Sequence, residues 1–330
     1  METVKVVLSG MRPTGFLHLG NYLVALQNWL ELQENYHCFF FVADWHALTT
    51  DYENPEGIGE HSREMVLDWL SAGLDPERSV IFRQSDIQEH AELYLLFSMF
   101  TPIAWLERCP TFKEQIRELE GRELYTHGFL GYPLLQAADI LIYKANAVPV
   151  GEDQAPHVEM TREVARRFNH LYQEVFPEPE TMLNQFPMVT GIDGRKMSKS
   201  YDNFIRLAEE RESLEEKVRM MVTDPGRVRK TDPGNPQVCS VFAFHRLVNQ
   251  EELSFIEEEC RRGGIGCVQC KKNLAEKLDN LISPIREKRK ELLDKDRQED
   301  YLEGILAYGA EKARKASQET LQQVKRVMGL

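Results

Sequence analysis

The sequence predicts an α/β fold with a parallel β-sheet, followed by a region built from helices. Its first half alternates short apolar runs with amphipathic helical patterns, which is typical of strand-helix-strand units. After about Tyr201 the strand pattern disappears and long, charged helical segments replace it. A chain of 330 residues with 42% hydrophobic residues also exceeds what one core usually organises. We therefore expect two domains, with helices on both faces of the sheet in the first.

The elements of the first half follow one another in a regular order. VKVVLSG is the first predicted strand, and an amphipathic helix is expected from Asn21 to about Glu34. The later apolar runs that fit strands are CFFFVADW, SVIFRQ and AVPVG. Helical patterns separate or follow them: EHSREMVLDWLSAG, HAELYLLFSMF, WLERCPTFKEQIREL, LQAADILIYKA and APHVEMTREVARRFNHLY. Ligands of such folds gather at the carboxyl ends of the strands.

The second half is predicted to be helical throughout. Its clearest helical segments are RLAEERESLEEKVRMMV, KNLAEKLDNLISPIREKRKELL and EDYLEGILAYGAEKARKASQETLQQVKRVM. One long connection, DPGRVRKTDPGNPQ, is a basic loop with Arg227, Arg229 and Lys230. These helices could form their own domain, and the last of them could equally return to pack on the first.

Composition and charge exclude some classes of protein. No run of 18 uncharged apolar residues occurs, and the N-terminus lacks a secretory signal pattern, so we expect a soluble cytoplasmic protein without a membrane partner. A net charge of -13 argues against general nucleic-acid coating, although a local basic patch can still bind a polyanion. The six cysteines are expected to be reduced.

The stretch PTGFLHLGNY lies where the first strand passes into the first helix. Gly15 permits a tight turn, and Gly20 at the helix start lets a bulky ligand group lie against bare backbone. Free N-H groups at a helix start attract phosphate, for which His18 and Asn21 would be side-chain donors. A histidine in this place also serves as an ordinary cap, so the motif alone indicates phosphate binding only weakly.

The second stretch with a chemical pattern is GRKMSKSYDN, residues 194–203. Lys196 and Lys199 flank Met197 and Ser198 in a glycine-preceded loop between the two halves. Two cations on such a loop can stabilise charge that spreads over phosphate oxygens as pyrophosphate departs. A solvated basic loop is the alternative interpretation.

Together, HLGN and KMSKS resemble the two signatures of class I aminoacyl-tRNA synthetases. KMSKS matches letter for letter, whereas the first signature usually reads HIGH, so Leu19 and Asn21 are departures. Asn21 leaves a neutral donor where the family has a second histidine. The resemblance implies catalytic roles for His18, Lys196 and Lys199. It also implies ATP binding by Arg12, Pro13, Thr14, Gly20, Asn21, Gly151, Glu152, Asp153, Met197, Ser198 and Ser200.

The middle of the chain resembles tryptophanyl-tRNA synthetases, in DWHALT, YPLLQAADIL and AVPVGEDQAPHVEMTREVARRFN. On a helix, Tyr132, Gln136 and Asp139 recur at i, i+4 and i+7 and share one face. The resemblance implies that Asp139 or Gln136 accepts the indole N-H, and Gln136 departs from the methionine of many bacterial relatives. The implied tryptophan-binding residues are His46, Tyr132, Gln136, Asp139, Val148, Val150 and Gln154. Glu152 and Asp153 could instead cap the following helix.

Four of the cysteines fall in the helical half with the spacing C-x20-C-x6-C-x2-C: Cys239, Cys260, Cys267 and Cys270. Four thiolates suit one tetrahedral zinc ion or one 4Fe-4S cluster, and residue chemistry does not separate the two. The resemblance to a subset of bacterial tryptophanyl-tRNA synthetases favours the 4Fe-4S cluster. Arg261, Arg262, Lys271 and Lys272 bracket this site and suggest a basic surface for an anticodon stem-loop, or merely a solvated staple.

The resemblance implies a Rossmann-like catalytic domain in residues 1–200 and an α-helical anticodon-binding domain in residues 201–330. It also implies a homodimer that uses Mg-ATP to join L-tryptophan to tRNA(Trp). A tyrosyl-specific relative is the nearest alternative, because a similar Tyr, Gln, Asp spacing occurs there. A non-catalytic paralogue that binds tRNA or senses redox state is the alternative from another class. A small-molecule adenylyltransferase would leave KMSKS and the helical half unexplained.

Overall fold

A computed structural model describes residues 4–109, 126–183 and 189–330 of the chain. Within these ranges five parallel strands form one sheet in the order β3-β2-β1-β4-β5. The strands are β1 Val6–Met11, β2 His37–Val42, β3 Ser79–Arg83, β4 Ala147–Val150 and β5 Glu180–Leu183. The predicted parallel sheet and Rossmann-like architecture are confirmed. β5 had not been predicted, because its ETML sequence neither alternates nor forms an apolar run.

Helices cover the sheet and build the rest of the described chain. Their bounds are α1 Leu19–Asn21, α2 Gln27–Leu32, α3 Asp44–Asp51, α4 Ile58–Ser71, α5 Glu89–Ser98, α6 Ile103–Glu107, α7 His127–Ile142, α8 Ala155–Leu171, α9 Arg211–Met220, α10 Ser240–Val248, α11 Leu253–Arg261, α12 Cys267–Glu299 and α13 Tyr301–Met328. A π-helical turn, Tyr22–Leu26, joins α1 to α2. None of the helices in the described ranges is long and apolar enough to cross a membrane.

The run CFFFV shows how the sequence produces a sheet that is buried on both faces. Phe39 and Phe41 pack in one hydrophobic core, whereas Cys38, Phe40 and Val42 pack in the core on the opposite face. Successive strand residues point to opposite faces, so a run without polar residues needs helices on both sides. This explains why β2 is a central strand.

Two predicted helices differ from the structure at their boundaries. The segment 206–222 was expected to be helical from its first residue, but α9 begins only at Arg211. Residues 205–207 instead run beside the turn that precedes α1, where Leu19 N donates to Ile205 O at 2.9 Å. Of the helix expected around WLERCPTFKEQIREL, α6 covers Ile103–Glu107, and residues 110–125 lie outside the described ranges.

The last two helices return to the sheet. α12 and α13 meet at Asp300, whose φ of 48° makes the corner between them. α13 packs along the edge strand β3 so closely that a Cβ on Gly309 would lie 1.8 Å from Ile81 O. The edge strand β3 is therefore covered by the last helix of the helical region. The division into domains at residue 200 stays a prediction.

Candidate active site

The strand order reverses between β1 and β4, and a crevice opens where their carboxyl ends diverge. A cavity of about 570 Å³ fills this crevice. Residues from both signatures, from α7 and from the segment after β4 line it. The candidate residues that line it are Arg12, Thr14, His18, Gly20, Asn21, His46, Tyr132, Gln136, Asp139, Val148, Val150, Gly151, Asp153, Gln154, Lys196 and Met197.

Several candidate residues lie outside the lining of this cavity. Pro13 is buried behind the turn, and Glu152 points to solvent. Ser198 and Lys199 belong to the KMSKS loop but are not part of the lining in the described chain. The side chain of Ser200 lies outside what the structure describes.

The HLGN turn is held by a reciprocal cap. His18 Nδ1 accepts a hydrogen bond from Asn21 N at 3.2 Å, and His18 N donates to Asn21 Oδ1 at 3.1 Å. In the neutral imidazole the proton therefore sits on Nε2. Burial, assisted by the charge of Lys199, lowers the pKa of His18 to about 4. At neutral pH, His18 is an uncharged N-H donor at the mouth of the cavity.

The two glycines of this turn serve different purposes. Gly15 has a φ of 112°, which other residues rarely adopt, so the predicted tight turn is present. A Cβ on Gly20 would lie 2.9 Å from His18 Nδ1 and 3.5 Å from Met197 Sδ. The imidazole therefore occupies the space that Gly20 leaves, and the glycine lets the histidine fold back over the helix start.

The KMSKS loop is held by Asn203, which the sequence analysis did not single out. This buried amide accepts from Ser198 N at 2.8 Å and donates to Lys196 O at 3.0 Å and to Asp193 Oδ1 at 2.7 Å. Lys199 Nζ reaches Thr14 Oγ1 at 3.4 Å, so the loop meets the PTG turn. Burial lowers the pKa of Lys199 to about 8, although the charge of Asp68 opposes this effect.

The end of the cavity that α7 lines contains a buried carboxylate with its own set of donors. Asp139 Oδ2 accepts from His46 Nε2 at 2.8 Å, and Oδ1 bonds His90 Nδ1. Gln84 Nε2 donates to both oxygens at 2.8 and 3.0 Å. His90 Nε2 in turn contacts Tyr143 Oη at 2.7 Å. Burial alone would raise the pKa of Asp139, but these hydrogen bonds and the two histidines lower it to about 2.

Tyr132 belongs to a second hydrogen-bonded chain at this end. Its hydroxyl lies 3.0 Å from His157 Nε2, and His157 Nδ1 lies 2.8 Å from Gln154 Oε1. Burial, together with the charge of His46, lowers the pKa of His157 to about 4. The sequence analysis quoted His157 only as part of the family pattern; its position three residues after Gln154 on a helix was the available signal.

The four clustered cysteines gather around the start of α12. Arg227 Nη1 lies 3.9 Å from Cys260 Sγ and 3.7 Å from Cys267 Sγ. Burial, together with the charges of the neighbouring cysteines, raises the pKa of Cys270 to about 12, although Arg227 opposes this effect. All six cysteines are free thiols. Within the described ranges, however, no group of three or more His, Cys, Asp or Glu side chains is arranged to hold a metal ion.

The basic residues beside the cysteines are largely neutralised. Arg261 pairs with Glu257 and Arg262 with Glu259 on the same helix. Lys271 donates to two backbone carbonyl groups at the end of α9. The predicted basic surface is therefore weaker than the sequence suggested, because helical spacing places acids beside the arginines.

Comparisons with known proteins agree with this geometry. Residues 2–283 match the model of the family "tRNA synthetases class I (W and Y)". The chain is 51% identical to the tryptophan-tRNA ligase of Thermotoga maritima over 98% of this chain and 99% of that protein. It is 44% identical to that of Aquifex aeolicus, with 98% and 99% coverage.

Solved structures give the same result. The tryptophanyl-tRNA synthetase of Campylobacter jejuni, complexed with ADP and tryptophan, has a TM-score of 0.88 and 37% identity, and the match covers 98% of this chain and 100% of that one. The family match, the identity to the relatives and the two signatures at one cavity all agree. The chain belongs to the tryptophan-tRNA ligase family of class I tRNA synthetases.

Proposed function

We propose that this chain activates L-tryptophan with Mg-ATP and transfers the tryptophanyl group to tRNA(Trp). The observation that carries the proposal is one cavity that joins HLGN and KMSKS at one end to the Asp139 cluster at the other. In the first step the tryptophan carboxylate attacks the α-phosphorus of ATP, and the bond to pyrophosphate breaks with its electron pair leaving on pyrophosphate. In the second, a terminal ribose hydroxyl of the tRNA attacks the acyl carbon and AMP leaves.

No side-chain nucleophile is needed, because the substrate carboxylate is itself the nucleophile. Catalysis then consists of positioning and charge stabilisation. Neutral His18 donates its Nε2-H to the phosphates, and Lys196 and Lys199 supply positive charge as pyrophosphate departs. Mg²⁺ enters with ATP and neutralises part of its phosphate charge. The remaining ATP contacts come from Arg12, Pro13, Thr14, Gly20, Asn21, Gly151, Glu152, Asp153, Met197, Ser198 and Ser200.

At the other end, Asp139 and Gln136 supply the oxygen acceptors for the indole N-H. A buried acceptor without a donor costs about 1–3 kcal/mol, so phenylalanine is disfavoured. Tyr132, with His157 and Gln154 behind it, holds the amino-acid end of the substrate, while His46, Val148 and Val150 wall the pocket. Of the two acceptors, Gln136 is the less engaged candidate, since Asp139 already binds three internal donors.

The proposal is tested by pyrophosphate exchange with each of the twenty amino acids. Exchange that depends on tryptophan supports it. Exchange that depends on tyrosine would identify the tyrosyl-specific relative, and absence of exchange with every amino acid would identify a non-catalytic paralogue.

We also infer that Cys239, Cys260, Cys267 and Cys270 hold a 4Fe-4S cluster, with zinc as the alternative. The four thiols are near enough that the other three raise the pKa of Cys270, and an arginine contacts two of them; both observations support the inference, since N-H donors stabilise ligated sulfur. When bound, the group would crosslink the start of α12 to α11 and to the residue that precedes α10.

Metal and sulfide analysis of anaerobically purified protein tests this inference, with its visible spectrum. Iron and sulfide with absorbance near 400 nm are expected. Cys270→Ser should lose them, whereas Cys38→Ser, a buried cysteine in β2, should retain them. Zinc without colour would select the alternative, and protein without metal would reject both.

The remaining features come from the family resemblance. They are a homodimer that works in the cytoplasm, with residues 1–200 catalytic and residues 201–330 binding the anticodon. Light scattering tests the oligomeric state. Footprinting of tRNA(Trp) tests the anticodon role, by showing whether the bound protein protects the anticodon stem-loop.

A further inference from the structure

Two arginines one turn apart on α12 contact Glu209, which follows the KMSKS loop, and helix α4, whose Asp68 bonds the turn before His18. Arg286 Nη1 donates to Glu209 O at 2.6 Å, just after the KMSKS loop. Arg289 contacts Asp68 Oδ1 with one Nη and Glu64 with the other. α12 begins at Cys267, so this helix connects the four-cysteine end to the signatures.

Asp68 is the unusual member of this arrangement. It lies on α4, is 3% exposed, and its Oδ2 accepts a hydrogen bond from Leu17 N at 3.3 Å. Leu17 directly precedes His18, so the carboxylate holds the backbone of the HLGN turn. A buried charge in a hydrophobic core is costly unless it is paired.

The charged groups that act on Asp68 have different effects. Burial, with a smaller contribution from Glu64, raises the pKa of Asp68 to about 6, although Arg289 and the N-H of Leu17 oppose this rise. The negative charge of Asp68 in turn raises the pKa of Lys199. Asp68 therefore acts on both signatures at once, on one through a hydrogen bond and on the other through charge.

The HLGN turn is also bonded to the segment that follows KMSKS. His18 and Arg206 form an antiparallel bridge, and Leu207 N donates to Leu17 O at 3.0 Å. Glu209, which Arg286 contacts, accepts from Arg206 N at 2.9 Å. The HLGN turn is thus held on one side by the segment after KMSKS and on the other by Asp68.

We propose that Asp68 is a positioning residue for tryptophan activation: held in place by Arg289 of α12, it fixes the turn before His18 through its hydrogen bond to Leu17 N. The inference rests on the proposed function. It assigns no contact with substrate to Asp68, which is why its loss affects the rate of activation more than the binding of tryptophan.

Asp68→Asn preserves the size of the side chain and removes its charge. We expect kcat for tryptophan-dependent exchange to fall about tenfold, with the KM for tryptophan changed less than twofold, because a misplaced catalytic group lowers rate before binding. In the wild type, kcat/KM for ATP should fall below about pH 6 and above about pH 8, following Asp68 and Lys199. In Asp68→Asn the fall of kcat/KM on the acidic side of the pH profile, the acidic limb, should disappear. The fall on the basic side, the basic limb, should move to lower pH, because Lys199 loses a negative charge that raises its pKa.

Arg289→Gln and Glu64→Gln form a matched pair. Loss of the arginine leaves Asp68 unpaired, so the acidic limb should move to higher pH. Loss of Glu64 removes a repelling carboxylate, so the limb should move to lower pH. Opposite shifts in two variants with similar melting temperatures cannot come from a general loss of stability.

Three results would overturn the inference. The first is an Asp68→Asn enzyme with the wild-type kcat and pH profile. The second is an Arg289→Gln enzyme whose acidic limb does not move. The third is an equal loss of kcat and tryptophan affinity that follows the melting temperature. If Asp68→Asn does not fold, the pH profiles of Arg289→Gln and Glu64→Gln decide whether the inference holds. Absence of exchange in the wild type would reject the proposed function and this inference with it, whereas normal wild-type exchange with unresponsive variants would reject this inference alone.

Discussion

The two ends of the cavity differ in the charge of their buried groups. At the nucleotide end, His18 and Lys199 have pKa values lowered by burial, to about 4 and about 8. At the amino-acid end, the fully buried Asp139 stays ionised because His46, His90 and Gln84 donate to it. One end therefore presents donors for a substrate that brings its own negative charge, while the other is prearranged around a charge of the protein.

This difference predicts which kinetic constant each end controls. Groups that stabilise charge as it develops in the transition state affect kcat. Groups that already bind the substrate in the ground state affect its KM. The predictions below test that division, from the largest expected effect to the smallest.

Lys199→Ala should give the largest effect. We expect kcat for tryptophan-dependent exchange to fall about 10²–10³-fold, because a cation that stabilises the departing pyrophosphate is lost. Tryptophan affinity, measured by calorimetry, should stay nearly unchanged. Lys5→Ala, a surface lysine paired with Glu180, is the control and should behave as wild type. Equal loss of rate and affinity would contradict the assigned role.

Asp139→Asn should act on binding. We expect the KM for tryptophan to rise roughly 5- to 100-fold, as one buried charged acceptor is worth about 1–3 kcal/mol, with a smaller change in kcat. Steady-state exchange measures both constants. An unchanged KM would show that Asp139 does not bind the indole N-H and would assign this contact to Gln136. In that case Gln136→Met should raise the KM for tryptophan.

The same carboxylate should contribute to acid stability. Its pKa of about 2 lies below the ordinary 3.8, so its stabilising contribution is present above pH 4 and is lost as pH falls through 2. At 1.36 kcal/mol per unit this is about 2 kcal/mol. Urea unfolding of wild type and Asp139→Asn between pH 2 and 5 measures it. A difference in the free energy of unfolding that does not change with pH would contradict the low pKa.

Asn203→Ala should give the smallest kinetic effect of the set. The KMSKS loop loses three hydrogen bonds but keeps its lysines, so we expect kcat to fall about tenfold with tryptophan affinity unchanged. Asn203→Asp keeps an acceptor for Ser198 N but sets a carboxylate oxygen against Asp193 and Lys196 O, so it should not recover the rate. A rise in the KM for tryptophan would instead show that the two ends are coupled.

Much of this molecule follows from local sequence. The uninterrupted apolar run of β2 required a sheet covered on both faces, and the glycine-rich turn after β1 required a sharp change of direction at the strand end. The i, i+4, i+7 spacing placed Tyr132, Gln136 and Asp139 on one face, and all three line the cavity. These predictions succeed because strand alternation and helical period are properties of neighbouring residues.

Several of the residues that sequence reasoning missed act over long separations in the chain. Gln84 and His90 meet Asp139 from 55 and 49 residues away, and Arg289 meets Asp68 from 221. The start of α9 was wrong because residues 205–207 bond to the HLGN turn instead of to their own neighbours.

The sequence by itself thus determined the parallel sheet, the two signature segments and the face of α7 that lines the cavity. Only the tertiary structure decided which donors surround Asp139, and that α12 contacts Glu209 through Arg286 and Asp68 through Arg289. The physical reason is that propensity and periodicity are local, whereas a buried charge takes its partners from whichever elements the fold brings against it.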